Sequence, residues 1–259
     1  MISLQEHASD TGKKVAQQSR HCLAKILTTT NPSLLTNSQR MGSIKPLLQL
    51  LKDNDSSSLQ QFEALLAITN LASTDFESKE RIVAEKGVST LSYAMFSDHD
   101  MVRRAGTEAL CNLVPHPAMM KYLANPENLR LWMAYAADFE TNFDCARAAV
   151  GCLAMATHDQ AIANALVLLT SFKEATTTLL ESGDLDLMHR ALVMVENLVE
   201  QGGKVRQAVI SAGLLTFCSA FVERYHQGSN AANLGFDASL EGQLVIAVDL
   251  AKRIVVLSS

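Results

Sequence analysis

Aromatic residues are scarce in this chain, only 5% of 259, whereas β-sheets favour aromatic and β-branched side chains. Glycine and proline are also few, at twelve and five, too few for the turns of a β-sandwich. A basic surplus is missing: 22 Lys and Arg stand against 27 Asp and Glu, a net charge of −5. Nucleic-acid binders carry a basic excess or stripe, so nucleic acid is not an expected partner. The apolar run NALVLLTSF from Asn164 falls short of the roughly 18 residues of a membrane span, and no membrane partner is expected. The opening MISLQEHASDTGKK has no signal-peptide core. Five cysteines at 22, 111, 145, 152 and 218 form no Cys-x-x-Cys pair. Free thiols in a reducing, cytoplasmic setting are the expectation.

Catalytic patterns are missing as well. The chain has no Gly-x-Ser-x-Gly, P-loop or Rossmann fingerprint. Cys145 and Cys152 lie in alanine-rich CARAAVGCLAMA and read as core. His116, His158 and Cys111 sit near helix ends with nothing to complete four-ligand zinc geometry. The reading is not an enzyme, with no metal and no cofactor.

What the chain does have is helix. QFEALLAITNLAS, from Gln61 to Ser73, places Ala64, Ala67 and Leu71 on one face, widened by Leu65, Ile68 and Ala72. A helix through SRHCLAKILTTT should stop at Asn31-Pro32, because the residue before proline is pushed out of the α region. A short helix over Leu34–Met41, broken by Gly42, is expected before SIKPLLQLLK, with Pro46 in its first turn. ESKERIVAEKG is predicted to end with Gly87 in a left-handed cap. VSTLSYAMF follows, then SDHD with N-cap candidates Ser97, Asp98 and Asp100, then MVRRAGTEALCNLV, closed by Pro115 and Pro117.

That helix–Gly–helix–turn–long-helix unit recurs. Aligned on a small residue, the long helices start at Ser19, Ala64, Gly106, Ala149, Ala191 and Ala247, at offsets of 45, 42, 43, 42 and 56. Each carries an apolar or alanine residue four and seven places on, from Leu23 and Ile26 to Ala251 and Ile254. A period of about 40–47 residues built from two or three helices marks armadillo or HEAT repeats. IVAEKGVSTLSYAMFSDHDMVRRAGTEALCNL resembles the armadillo unit, and VISAGLLTF repeats its junction. The fold class is therefore all-α, an armadillo-repeat right-handed superhelical solenoid of about five to six repeats. Residues 1–11 read as a flexible tail and 12–259 as a single solenoid domain, with a loop insertion over 226–239 that lengthens the last offset. Third helices of such repeats line a concave groove.

Candidate groove residues come from that register. Asn70, Asn112 and Asn197 share one position of the third helices, interrupted by Met155. Asparagine is a poor mid-helix residue, and its amide suits either clamping an extended peptide or bridging neighbouring helices. Phe62, Leu66, Arg103, Arg104 and Glu108 complete the proposed lining, Arg104 and Glu108 at ion-pair spacing.

A more specific likeness rests on LAKILTTTNPSLLTNSQRMGSIKPLLQLL, QFEALLAITNLAS, RRAGTEALCNLV and HRALVMVENLV. Together these resemble the carboxy-terminal part of the UCS-domain myosin chaperones, over roughly Ser19 to Leu257 and most specifically between Leu23 and Val114. The resemblance implies binding to the myosin heavy chain motor domain and help with its folding and assembly. It also implies that a heat-shock chaperone is met only indirectly, since the TPR repeats that hold one in animal members find no counterpart in this sequence. A generic armadillo adaptor bridging protein partners is the alternative. Import receptors of this fold pair each Asn with a Trp four residues earlier, where this chain has Leu66, Glu108, Gly151 and Val193, so recognition of basic signals is not expected.

Overall fold

The computed structural model describes residues 10–228 and 231–258, and among them finds fifteen α-helices and no strand. The chain divides into two compact units, Met1–Met119 and Met120–Ser259. Residues 1–9 of the expected tail lie outside the described residues, while Asp10 and Thr11 open the first helix.

The first unit holds α1 (Asp10–Thr29), α2 (Asn37–Lys52), α3 (Ser58–Ala72), α4 (Phe76–Ala84), α5 (Gly87–Ala94) and α6 (Asp100–Cys111). The third helices stack in sequence, α1 on α3 and α3 on α6. Ala64, Ile68 and Leu71 of α3 are fully buried, as are Leu110 and Leu113 of the next repeat. Burial of such side chains contributes about 1.5–3 kcal/mol each for the larger ones. The register of α1 differs by one residue from the sequence expectation. Ile26 is 60% exposed, whereas Ala24 and Leu27 are buried, so Arg20, Ala24 and Leu27 are the counterparts of Ala64, Ile68 and Leu71. Apolar residues occupy both sides of α1, and contact with α3 selects the side that is buried.

Three local expectations are corrected. α2 runs unbroken through Gly42 with Pro46 inside it. A reciprocal capping box between Thr36 and Gln39 starts the helix early, and the burial of Ile44, Leu47, Leu48 and Leu50 outweighs a glycine cost of about 1 kcal/mol. The left-handed residue between α4 and α5 is Lys86, at φ 65°, not Gly87. Gly87 is needed for closeness: a Cβ there would strike the Ile82 side chain and lie 2.5 Å from the Ile82 carbonyl oxygen. The N-cap of α6 is His99, whose backbone N–H donates to Ser97 Oγ, while Asp100 is already helical.

Asp75 caps α4, accepting from the Ser78 N–H at 2.7 Å and pairing with Arg40 at 3.3 Å. The Ser78 backbone N–H, against the opposing pull of burial and helped by the charges of Arg40 and Lys79, holds its carboxyl below the ordinary value of 3.8. Asp75→Ala is expected to lower stability by about 1 kcal/mol in urea titrations at pH 7. Because the folded-state pKa is depressed, the stabilisation is complete above the unfolded value and is lost as pH falls through the folded one. The gap between wild type and variant therefore closes only below about pH 4.

The second unit repeats the plan with α8 (Pro126–Ala137), α9 (Phe143–Ala156), α10 (Gln160–Val167), α11 (Phe172–Leu180), α12 (Leu185–Glu200), α13 (Gly203–Ser211), α14 (Leu214–Gly228) and α15 (Glu241–Ser258). The remaining helix, α7 (Pro117–Leu123), spans the division. Stacking runs α9 on α12 and α12 on α15. Ala149, Leu153, Ala156, Ala191, Val195, Leu198, Ala247, Ala251 and Ile254 are all buried, in the register read from the sequence. Gly213, at φ 82°, makes the left-handed turn between α13 and α14. The expected insertion begins inside α14 and continues as two 3-10 turns, Ala232–Leu234 and Ala238–Leu240, with residues 229 and 230 outside the described residues.

Candidate functional site

In the first unit, Phe62, Leu66 and Asn70 follow one face of α3, and Arg104, Glu108 and Asn112 occupy the same positions of α6. All six are half-buried. With the corrected register, the matching residues of α1 are Gln18, Cys22 and Ile26, all exposed. Ile26, Cys22, Leu66 and Phe62 thus form an apolar strip across α1 and α3, ending on α6 at the ion pair of Arg104 and Glu108, 3.0 Å apart. A register of 44 residues, rather than 45, is the signal that would have found Cys22 and Ile26 in the sequence.

Arg103 does not join the strip. Its guanidinium donates to the Ser97 carbonyl at 2.7 Å and pairs with Asp100, so it secures the start of its own helix. Asn197 lies in the second unit and is only 3% exposed, so it presents no surface to a partner.

The asparagine amides point along the stack. Asn70 Nδ2 donates to the Leu27 and Thr28 carbonyls at 3.1 and 3.2 Å, in the last turn of α1. Asn112 Nδ2 donates to the Thr69 carbonyl at 3.1 Å, and Asn197 Nδ2 donates to the Ala154 carbonyl at 2.7 Å and to Thr157 Oγ1 at 3.3 Å. Each amide thus donates to carbonyls in the last turn of the third helix one repeat earlier, where intrahelical donors run out. At least one N–H of each amide is therefore engaged within the fold.

A cation completes the same junctions. Lys79 Nζ donates to the Ala72 carbonyl and, at 2.7 Å, to the Asn112 carbonyl, joining the ends of α3 and α6. Burial lowers the Lys79 pKa, opposed by the charge of Asp75. Arg206 occupies the equivalent position in the second unit, donating to the Val199 carbonyl at 3.0 Å. Between α1 and α3, His21 Nε2 meets Glu63 Oε2 at 2.5 Å, and its Nδ1 lies 3.4 Å from Gln60 Nε2. Cys145, Cys152 and Cys218 are buried, and burial pushes the Cys218 thiol up to about 12. Among the described residues no group of His, Cys, Asp and Glu is arranged to hold a metal ion, and no single helix is long and apolar enough to cross a membrane.

No protein-family model matches the chain. It is 30% identical to human protein unc-45 homolog B over 218 residues, covering 83% of this chain and 23% of that relative. The chain is a homologue of the UNC-45 proteins. It spans about a quarter of the length of the curated UNC-45 relatives it matches. UNC-45 from Drosophila melanogaster superposes with a TM-score of 0.82 at 24% identity, over 97% of this chain and 30% of that one. The myosin chaperone UNC-45 from C. elegans, solved in complex with an Hsp90 peptide, gives 0.74 at 22% identity, over 93% and 26%. A designed armadillo repeat protein in complex with the peptide (KR)4 gives 0.70 at 17% identity, over 94% and 95%. The UNC-45 homologue is accordingly an all-α solenoid of armadillo type.

Proposed function

We propose that this chain is a client-binding module of a myosin chaperone, holding partly folded segments of the myosin motor domain on the strip formed by α1, α3 and α6. The observation that carries the proposal is the run of Ile26, Cys22, Leu66 and Phe62, solvent-reachable apolar side chains aligned across stacked helices. The homology to UNC-45 supplies the client class. The amides of Asn70 and Asn112 donate within the fold, so the client is held chiefly by its apolar side chains, with Arg104 and Glu108 fixing one end. Holding requires no covalent step, only higher affinity for the unfolded client than for the folded one. The module acts in the cytoplasm, and contact with a heat-shock chaperone is indirect.

A binding titration against a purified myosin motor domain, loosened by mild heating, tests this. Saturable binding is expected, weakened at least tenfold in a chain carrying Phe62→Asp and Leu66→Asp. Capture of a basic nuclear-signal peptide or a cadherin tail with no affinity for the motor domain contradicts the proposal and favours an armadillo adaptor.

A further inference from the structure

A second candidate site is lined mainly by other helices, with Met188 of α12 the one third-helix residue in it. In the second unit a cavity of about 710 Å³ opens between α11, α14 and the turn over 234–236, within the volume range of pockets that take specific ligands. Its apolar body includes the stacked rings of Phe217 and Phe221, 6.1 Å apart, and the half-buried Phe236. Lys173 of α11 and Arg224 of α14 stand exposed at its rim, and neither has an ion-pair partner among the described residues. Glu181 is the one carboxylate in the lining. The rim is thus net positive on a chain whose overall charge is −5, and neither helix belongs to the third-helix stack. An aromatic floor and unpaired cations on two different helices call for a ligand that is both apolar and acidic.

We propose that this cavity docks a short peptide segment of alternating acidic and bulky apolar residues. The segment's carboxylates pair with Lys173 and Arg224, and its apolar side chains rest on the half-buried Phe217 and Phe236. A fatty acid meets these features less well. It brings one carboxylate to two separated cations and leaves Glu181, which accepts a backbone N–H from a peptide, facing hydrocarbon. The lining shares no residue with the α1–α3–α6 strip.

Fluorescence anisotropy with fluorescein-labelled Asp-Leu-Phe-Asp-Leu-amide, titrated with the full chain, tests the inference. Saturable binding is expected, at least tenfold weaker for the same peptide with both Asp replaced by Lys. It is also expected to be at least tenfold weaker for the chain carrying Lys173→Glu and Arg224→Glu. Arg224→Gln, a milder change at an exposed position, is expected to weaken binding about threefold, which keeps the test sound if the double reversal disturbs folding. Binding that ignores these substitutions, equal binding of the lysine peptide, no saturation at millimolar chain, or displacement by laurate with no peptide binding would each overturn it.

Discussion

Asn197→Asp is expected to destabilise the chain by about 3–5 kcal/mol at pH 7, the cost of leaving a buried charge uncompensated. Asn197 is 3% exposed, and its amide donates to the Ala154 carbonyl and to Thr157 Oγ1. A carboxylate there would face a carbonyl oxygen at the negative end of the α9 dipole. Both contacts favour the protonated acid, so the folded-state pKa of the new carboxyl rises above its unfolded value. The folded state then binds more protons, and the destabilisation shrinks as pH falls through that raised value. Thermal melts at pH 7 and pH 5 should therefore show partial recovery at the lower pH. Asn197→Leu should cost about 1 kcal/mol, from the lost amide hydrogen bonds, with no such recovery.

Gly87→Ala is expected to cost about 3 kcal/mol, at the upper end of overpacking penalties. The added methyl would meet the Ile82 side chain and, at 2.5 Å, the Ile82 carbonyl oxygen, and a backbone atom inside a stacked repeat cannot swing aside. Gly42→Ala serves as the internal contrast. Gly42 lies within α2 with nothing inside 4 Å of the added atom, so alanine should gain about 0.5–1 kcal/mol through helix propensity. Urea titrations of both variants check the pair. Equal effects would mean that the α4–α5 junction is looser than the contact distances indicate.

The repeat was legible in the sequence because its unit is local: a small residue, an apolar one four places on and another at seven mark the buried side of every third helix from α3 to α15. The first helix was read one residue out of register, since Leu23, Ala24, Ile26 and Leu27 offer two apolar sides and only contact with α3 chooses Ala24 and Leu27. The asparagine series stood out for the same periodic reason. Its direction did not, because which of its neighbours an amide meets depends on carbonyls 42 or 43 residues away that exist as acceptors only after the helices stack. Lys79 and Arg206 were missed although each lies seven residues beyond the carbonyl that it bonds, Ala72 and Val199. That recurrence was visible, but lysine and arginine on a short helix look like surface charge until the helix-end carbonyls beside them are known. Gly87 was credited with a left-handed turn that Lys86 makes, because sequence reports which residue tolerates a conformation and not which one lies against a neighbour's backbone.

Light scattering of a myosin motor domain held at a temperature where it aggregates tests the central claim most directly. The wild-type chain at equimolar ratio is expected to suppress most of the scattering. The chain with Phe62→Asp and Leu66→Asp, shown by circular dichroism to remain folded, should lose most of that protection. Undiminished protection by the folded double variant, or no protection by the wild-type chain, would contradict the assignment of the α1–α3–α6 strip as the client-holding surface.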